Sequence, residues 1–105
     1  MCGGISMLRA DEVLEEMAKT FRRSNGKYKD NWKNTGAAMK AMFPEGITLE
    51  TEDDFVRFHL LEWTIGKITR FVNTGMTDKE SVHDAAVYLA MIEAFLNEMG
   101  ETDGN

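Results

Sequence analysis

Apolar residues along the chain recur at helical spacing, most regularly over residues 51–73 (TEDDFVRFHLLEWTIGKITRFVN). There Phe58, Leu61, Ile65, Ile68 and Val72 fall at alternating three- and four-residue steps, which predicts one long helix with a continuous core seam. Roughly 120 to 200 degrees round, at about 100 degrees per residue, stand Val56, Leu60, Trp63, Lys67, Arg70 and Phe71. A helix apolar on two sides needs two covers, because an ordinary surface helix would leave the second patch in water. Lys67 and Arg70 are surface neighbours at a three-residue step, and cations among apolar groups call for an anionic partner.

The last helical pattern mirrors this one. Thr77 and Glu80 make the capping-box spelling T-x-x-E, predicting a helix that runs to about Met99 and stops at Gly100. Its seam, Val82, Ala85, Leu89, Ile92, Leu96 and Met99, repeats the same steps, and opposite lie Glu80, Asp84, Val87, Met91 and Phe95 with Tyr88 at the flank. The two long helices are therefore expected to pack antiparallel, Ala85 letting them approach closely. Upstream, Val13 or Leu14, Met17 and Phe21 predict a short amphipathic helix from Ala10. Acids stand near its start, Arg22 and Arg23 near its end, and Ser24, Asn25 and Gly26 supply a stop. A second helix is expected from Lys29 or Asp30 to Met42, with Trp32, Thr35, Gly36, Met39 and Met42 on one side. Gly36 there points to a close helix or ligand approach or to tolerated slack, and Pro44, Glu45 and Gly46 make a turn. Ile47 to Leu49 form an extended connector too isolated for a sheet. Thr51 with Asp54 reads as the cap of the long helix.

The expected fold is all-α: a single four-helix bundle-like domain over residues 1–105 with two long antiparallel C-terminal helices, assembled as an oligomer. Residues 1–8 and 101–105 are expected to be flexible ends. The length suffices for one core. A net charge of −6 argues against a nucleic-acid polymer as partner, since phosphate backbones are held by excess Lys and Arg. The single Cys2 excludes an internal disulfide and fits a cytoplasmic location, and no apolar run has the length of a membrane span.

Candidate chemistry gathers on the second faces. His59 and Trp63 share a flank with Gly66 and Arg70, offering an imidazole, an aromatic plate, a gap and a guanidinium, the parts a base-plus-phosphate ligand requires. A core histidine beside a core tryptophan satisfies the same pattern. Glu80 and Asp84, four apart, could share a divalent cation, answer Lys67 and Arg70, or belong to a structural ion-pair network. Glu62 could add a third carboxylate. No Gly-rich phosphate loop, Cys/His metal spacing or Ser/His/Asp order is present.

Three runs, Lys27-Tyr28-Lys29-Asp30-Asn31-Trp32, Leu60 through Lys67-Ile68-Thr69-Arg70, and Glu80-Ser81-Val82-His83-Asp84-Ala85-Ala86-Val87-Tyr88, resemble the small phage-type relatives of the MazG-like all-α nucleotide pyrophosphohydrolases. In that family a Y-x-D-x-W segment, an L-x-x-K-x-x-R helix and a D-x-A-x-Y helix occur in this order. The resemblance spans about residues 27–95 and implies a helical oligomer with its ligand between helices. Its hydrolases hold Mg²⁺ by an E-x-x-E pair on one helix and an E-x-x-D pair on the next. Here Ile65 and Gly66 follow Glu62, and Glu80 stands four rather than three residues before Asp84.

The expectation is accordingly a phage-type homo-oligomer that binds a nucleotide or nucleotide-derived small molecule and sequesters it without chemistry and with no cofactor. Arg70 and Lys67 are assigned to phosphate, Trp63 or Tyr88 to base stacking, Asp84 to a ribose hydroxyl or to orienting the cations, and His59 to the flank. One alternative is a Mg²⁺-dependent pyrophosphohydrolase with Glu62, Glu80 and Asp84 as metal ligands. Another is a protein-interaction module docking a host protein.

Overall fold

The structure, a computed structural model, describes residues 9–100. It contains four helices, α1 (Ala10–Tyr28), α2 (Asn31–Met42), α3 (Glu52–Asn73) and α4 (Lys79–Glu98), and no strand among the described residues. The all-α expectation holds; the ends expected to be flexible, 1–8 and 101–105, lie outside the described residues. No described helix is long and apolar enough to cross a membrane.

The α3 start follows its sequence. Thr51 Oγ1 accepts the Asp54 N–H at 3.1 Å while the Asp54 carboxylate accepts the N–H groups of Glu50 (3.0 Å) and Thr51 (3.1 Å). Those donors, Glu50 first and the Arg57 guanidinium among the others, favour the charged form and lower the Asp54 pKa from 3.8 to about 2. A depressed folded-state value gives a stabilisation that is complete above the unfolded pKa and fades as pH falls through the folded one. Urea midpoints of the wild type and Asp54→Asn should therefore differ near neutrality and converge as pH drops from about 4 towards about 2. A gap that persists unchanged at low pH would contradict this.

Two boundaries differ from their sequence signals. Ser24, Asn25 and Gly26 do not stop α1, which continues to Tyr28 and ends on Lys29 in the left-handed region (φ 53°), with Asp30 (φ 60°) likewise left-handed. Both residues are over-determined: Asn25 Oδ1 accepts the Asp30 N–H at 2.8 Å, and Asn73 Nδ2 donates to the carbonyls of Tyr28 (2.9 Å) and Lys29 (3.2 Å). The stop is thus set from α3. Nor do Thr77 and Glu80 box the start of α4. Gly75 and Met76 both take positive φ, the Thr77 hydroxyl donates to the Thr74 carbonyl at 2.7 Å, and the helix opens after Asp78, whose carboxylate receives the Ser81 hydroxyl at 2.6 Å.

Helices α3 and α4 form an antiparallel hairpin, with Trp63 against Tyr88 and Lys67 against Asp84 as the register advances on one helix and retreats on the other. Among the described residues the buried ones are Leu60 and Thr64 on α3 and Ser81 and Ala85 on α4. This corrects the expected seam. Of its members Ala85 is buried, whereas Ile68, Val72, Val82 and Leu89 are exposed and Phe58, Leu61, Ile65, Ile92, Leu96 and Met99 half-buried. The hairpin closes instead on the face of Leu60 and Lys67, where Thr64, Ser81 and Ala85 are small enough for the helices to approach. Thr64 satisfies its hydroxyl on the Leu60 carbonyl at 2.8 Å.

Helix α2 lies on α3 through hydroxyl and amide pairs, Thr35 to Thr69 at 2.9 Å and Asn34 to Asn73 at 3.0 Å. The connector after α2 turns at Gly46 as expected and is pinned by Phe43 against Phe58, ring centroids 6.0 Å apart. Nothing approaches within 4 Å of a methyl built on Gly36, so no helix of the same chain explains that glycine. Helix α1 buries no residue.

Candidate functional site

Where α2 crosses the α3–α4 hairpin, a cleft of about 450 Å³ opens, lined by Asn31, Trp32 and Thr35 from α2, Glu62, Trp63, Gly66, Lys67 and Arg70 from α3, and Tyr88 from α4. The α3 members recur at helical steps, so one helix face supplies most of the wall. Gly66 leaves the floor open: a methyl there would reach Thr35 Oγ1 at 3.9 Å, an ordinary contact. The gap is therefore available to a ligand rather than demanded by helix packing.

The aromatic groups form a connected set. His59 lies 4.1 Å from Trp63 and Trp63 lies 5.1 Å from Tyr88, both measured between ring centroids and both tilted. That spacing leaves no slot for a base between Trp63 and Tyr88, so a planar ligand would stack on an outer face of the set. Trp32, on α2, is more than half exposed and lines the same cleft.

The two cations differ. Lys67 pairs with Asp84 at 3.0 Å, its side chain 19% exposed and that of Asp84 32%. The half-buried ammonium thus has its counter-charge inside the chain, although one carboxylate leaves some of its three donors unused. Arg70 stacks over the Tyr28 ring, guanidinium carbon 4.7 Å from the centroid, and has no carboxylate partner among the described residues. A half-buried guanidinium with its fork free is the strongest anion-seeking group of the cleft.

Of the residues expected at the site, Trp63, Lys67, Arg70 and Tyr88 meet in one cleft, and Asp84 orients Lys67 from behind it. His59 stands outside the lining, in ring contact with Trp63. Asn31, Trp32 and Thr35 were not assigned to the ligand by sequence. The signal was their position on one side of α2, together with the Gly66 gap. The carboxylates of the hydrolase alternative do not assemble. Glu62 lines the cleft, Asp84 is engaged by Lys67, and Glu80 stands near Lys27, whose pKa is raised first by the Tyr28 hydroxyl and then by charges that include Asp78 and Glu80. Among the described residues no three metal-ligating side chains are grouped to hold an ion.

Compared with models of protein families, with curated proteins and with solved structures, the chain finds no match in any of the three.

Proposed function

We propose that the protein is a homo-oligomeric helical binder of a nucleotide or nucleotide-derived small molecule, held in the cleft between α2, α3 and α4. The observation that carries this reading is Arg70, half-buried and without a carboxylate partner among the described residues, in one cleft with Lys67, Trp32, Trp63 and Tyr88. In a chain of net charge −6 such a cationic spot is local, suited to one compact anion rather than to a long polyanion. Phosphate would sit at the Arg70 and Lys67 end. Glu62 repels phosphate, so it belongs beside the sugar or base, where hydroxyl and amino groups can donate to it. The exposed apolar faces of α3 and α4, with Ile68, Val72, Val82 and Leu89, support the oligomer. The MazG-like resemblance points the same way for ligand class and assembly, while the scattered carboxylates favour binding over hydrolysis.

Calorimetry of the full chain against nucleoside mono-, di- and triphosphates and cyclic nucleotides, with and without Mg²⁺, tests it. Saturable heat with at least one of them is expected; silence from all at about 100 µM protein would remove the reading. Mg²⁺-dependent release of pyrophosphate would replace binding by hydrolysis.

A further inference from the structure

Helix α1 is the most strongly amphipathic of the four and the one that packs least on the rest. Its apolar stripe, Leu14, Met17 and Phe21, is 64%, 59% and 52% exposed. Helices in water draw most of their stability from packing such a face, so an uncovered stripe of this length requires a partner. The dimensions of the chain say the same. A compact domain of this length has a radius of gyration of about 13 Å, against 18.9 Å here. A compact 11.9 kDa monomer exposes about 6,000 Å², against 7846 Å² here. The excess is larger than the ~800 Å² that each partner contributes to a standard interface.

The charges on α1 select the partner. Asp11, Glu12, Glu15 and Glu16 occupy its first half and Lys19, Arg22, Arg23 and Lys27 its second. Among the described residues Glu15, Arg22 and Arg23 make no ion pair, and Lys19 has only a 3.4 Å contact with Glu16. We propose that α1 pairs antiparallel with α1 of a second copy across a two-fold axis beside Met17. In that register Met17 meets its own copy and Leu14 meets Phe21. Asp11 and Glu15, on one flank of the stripe, then lie across from Arg22 of the other copy, twice over by symmetry, closing the pair as an isologous contact. A parallel arrangement would set acids on acids and bases on bases. The inference takes the homo-oligomer proposed above and gives it a seam, independently of any ligand.

Light scattering and sedimentation of the full chain test it, with circular dichroism to check that each variant keeps its helices. The wild type should self-associate, and Met17→Glu should weaken association by about tenfold or more. Arg22→Glu, and separately Asp11→Lys with Glu15→Lys, should each weaken it. An equimolar mixture of these two charge-reversed chains should reassociate as a heterodimer, which a merely misfolded variant could not do. If the wild type is monomeric at about 100 µM, both the seam and the oligomer fall. If the wild type associates and both charge-reversed chains associate as tightly as it does, the seam alone falls and the contact lies on another face.

Discussion

Arg70→Ala is expected to weaken binding of a phosphate-bearing nucleotide by roughly ten- to a hundredfold, the equivalent of losing a hydrogen-bonded charge worth ~1.5–3 kcal/mol. Among the described residues the fork has no carboxylate partner, so the substitution breaks no ion pair there. What it removes from the fold is the stacking on Tyr28, worth about 0.5–1 kcal/mol at a partly exposed site. A thermal melt separates that small loss from the loss of affinity. Arg70→Lys should restore the charge but not the two-pronged geometry, recovering affinity in part. The corresponding nucleoside, having no phosphate, should bind the wild type and Arg70→Ala about equally. Equal weakening of nucleotide and nucleoside would place Arg70 at the base and overturn the assignment. Trp32→Ala and Trp63→Ala, by contrast, should weaken both ligands, because stacking does not depend on the phosphate.

The parts of the fold written in local chemistry were legible. Helical periodicity located all four helices, and Thr51 with Asp54 gave the α3 start to the residue because both halves of that cap lie within one turn. The boundaries that misled are those decided at a distance. Asn25 and Gly26 spell a helix end, but Asn73, on another helix, holds the carbonyls two and three residues further on and moves the end there. The α3–α4 seam misled for a related reason. Counting aliphatic residues selects the stripe with most hydrocarbon, whereas two helices of one chain close where their side chains are smallest, at Thr64, Ser81 and Ala85. The greasier stripe through Ile68 and Val72 stays outside. The cleft was half legible. Its α3 wall could be read from one helical face, but the α2 wall depends on how α2 crosses α3, and the Thr35–Thr69 and Asn34–Asn73 bonds that fix the crossing join residues 34 to 39 positions apart.

The Lys67–Asp84 pair is where the structural and the ligand readings compete for the same side chains. Asp84→Asn keeps the shape of the carboxylate and deletes its charge, leaving an ammonium that is only 19% exposed without its counter-ion. The expected cost is about 1–3 kcal/mol in a urea titration, less than the ~3–5 for breaking a fully buried pair because a third of the carboxylate is already wetted. Lys67→Met should cost less, since the Asp84 carboxylate that remains is the more exposed of the two and can turn to water. The double substitution Lys67→Met with Asp84→Leu replaces both charges by apolar groups of similar volume and should recover most of the stability, because the desolvation of both ions disappears with their attraction. Affinity then decides what the pair is for. If Lys67 offers its remaining donors to a phosphate, the stable double variant should bind the nucleotide about tenfold more weakly than the wild type, a loss comparable to one charged hydrogen bond. A double variant that is both stable and fully competent to bind would make the pair a clamp between α3 and α4 and leave Arg70 as the sole cation of the site.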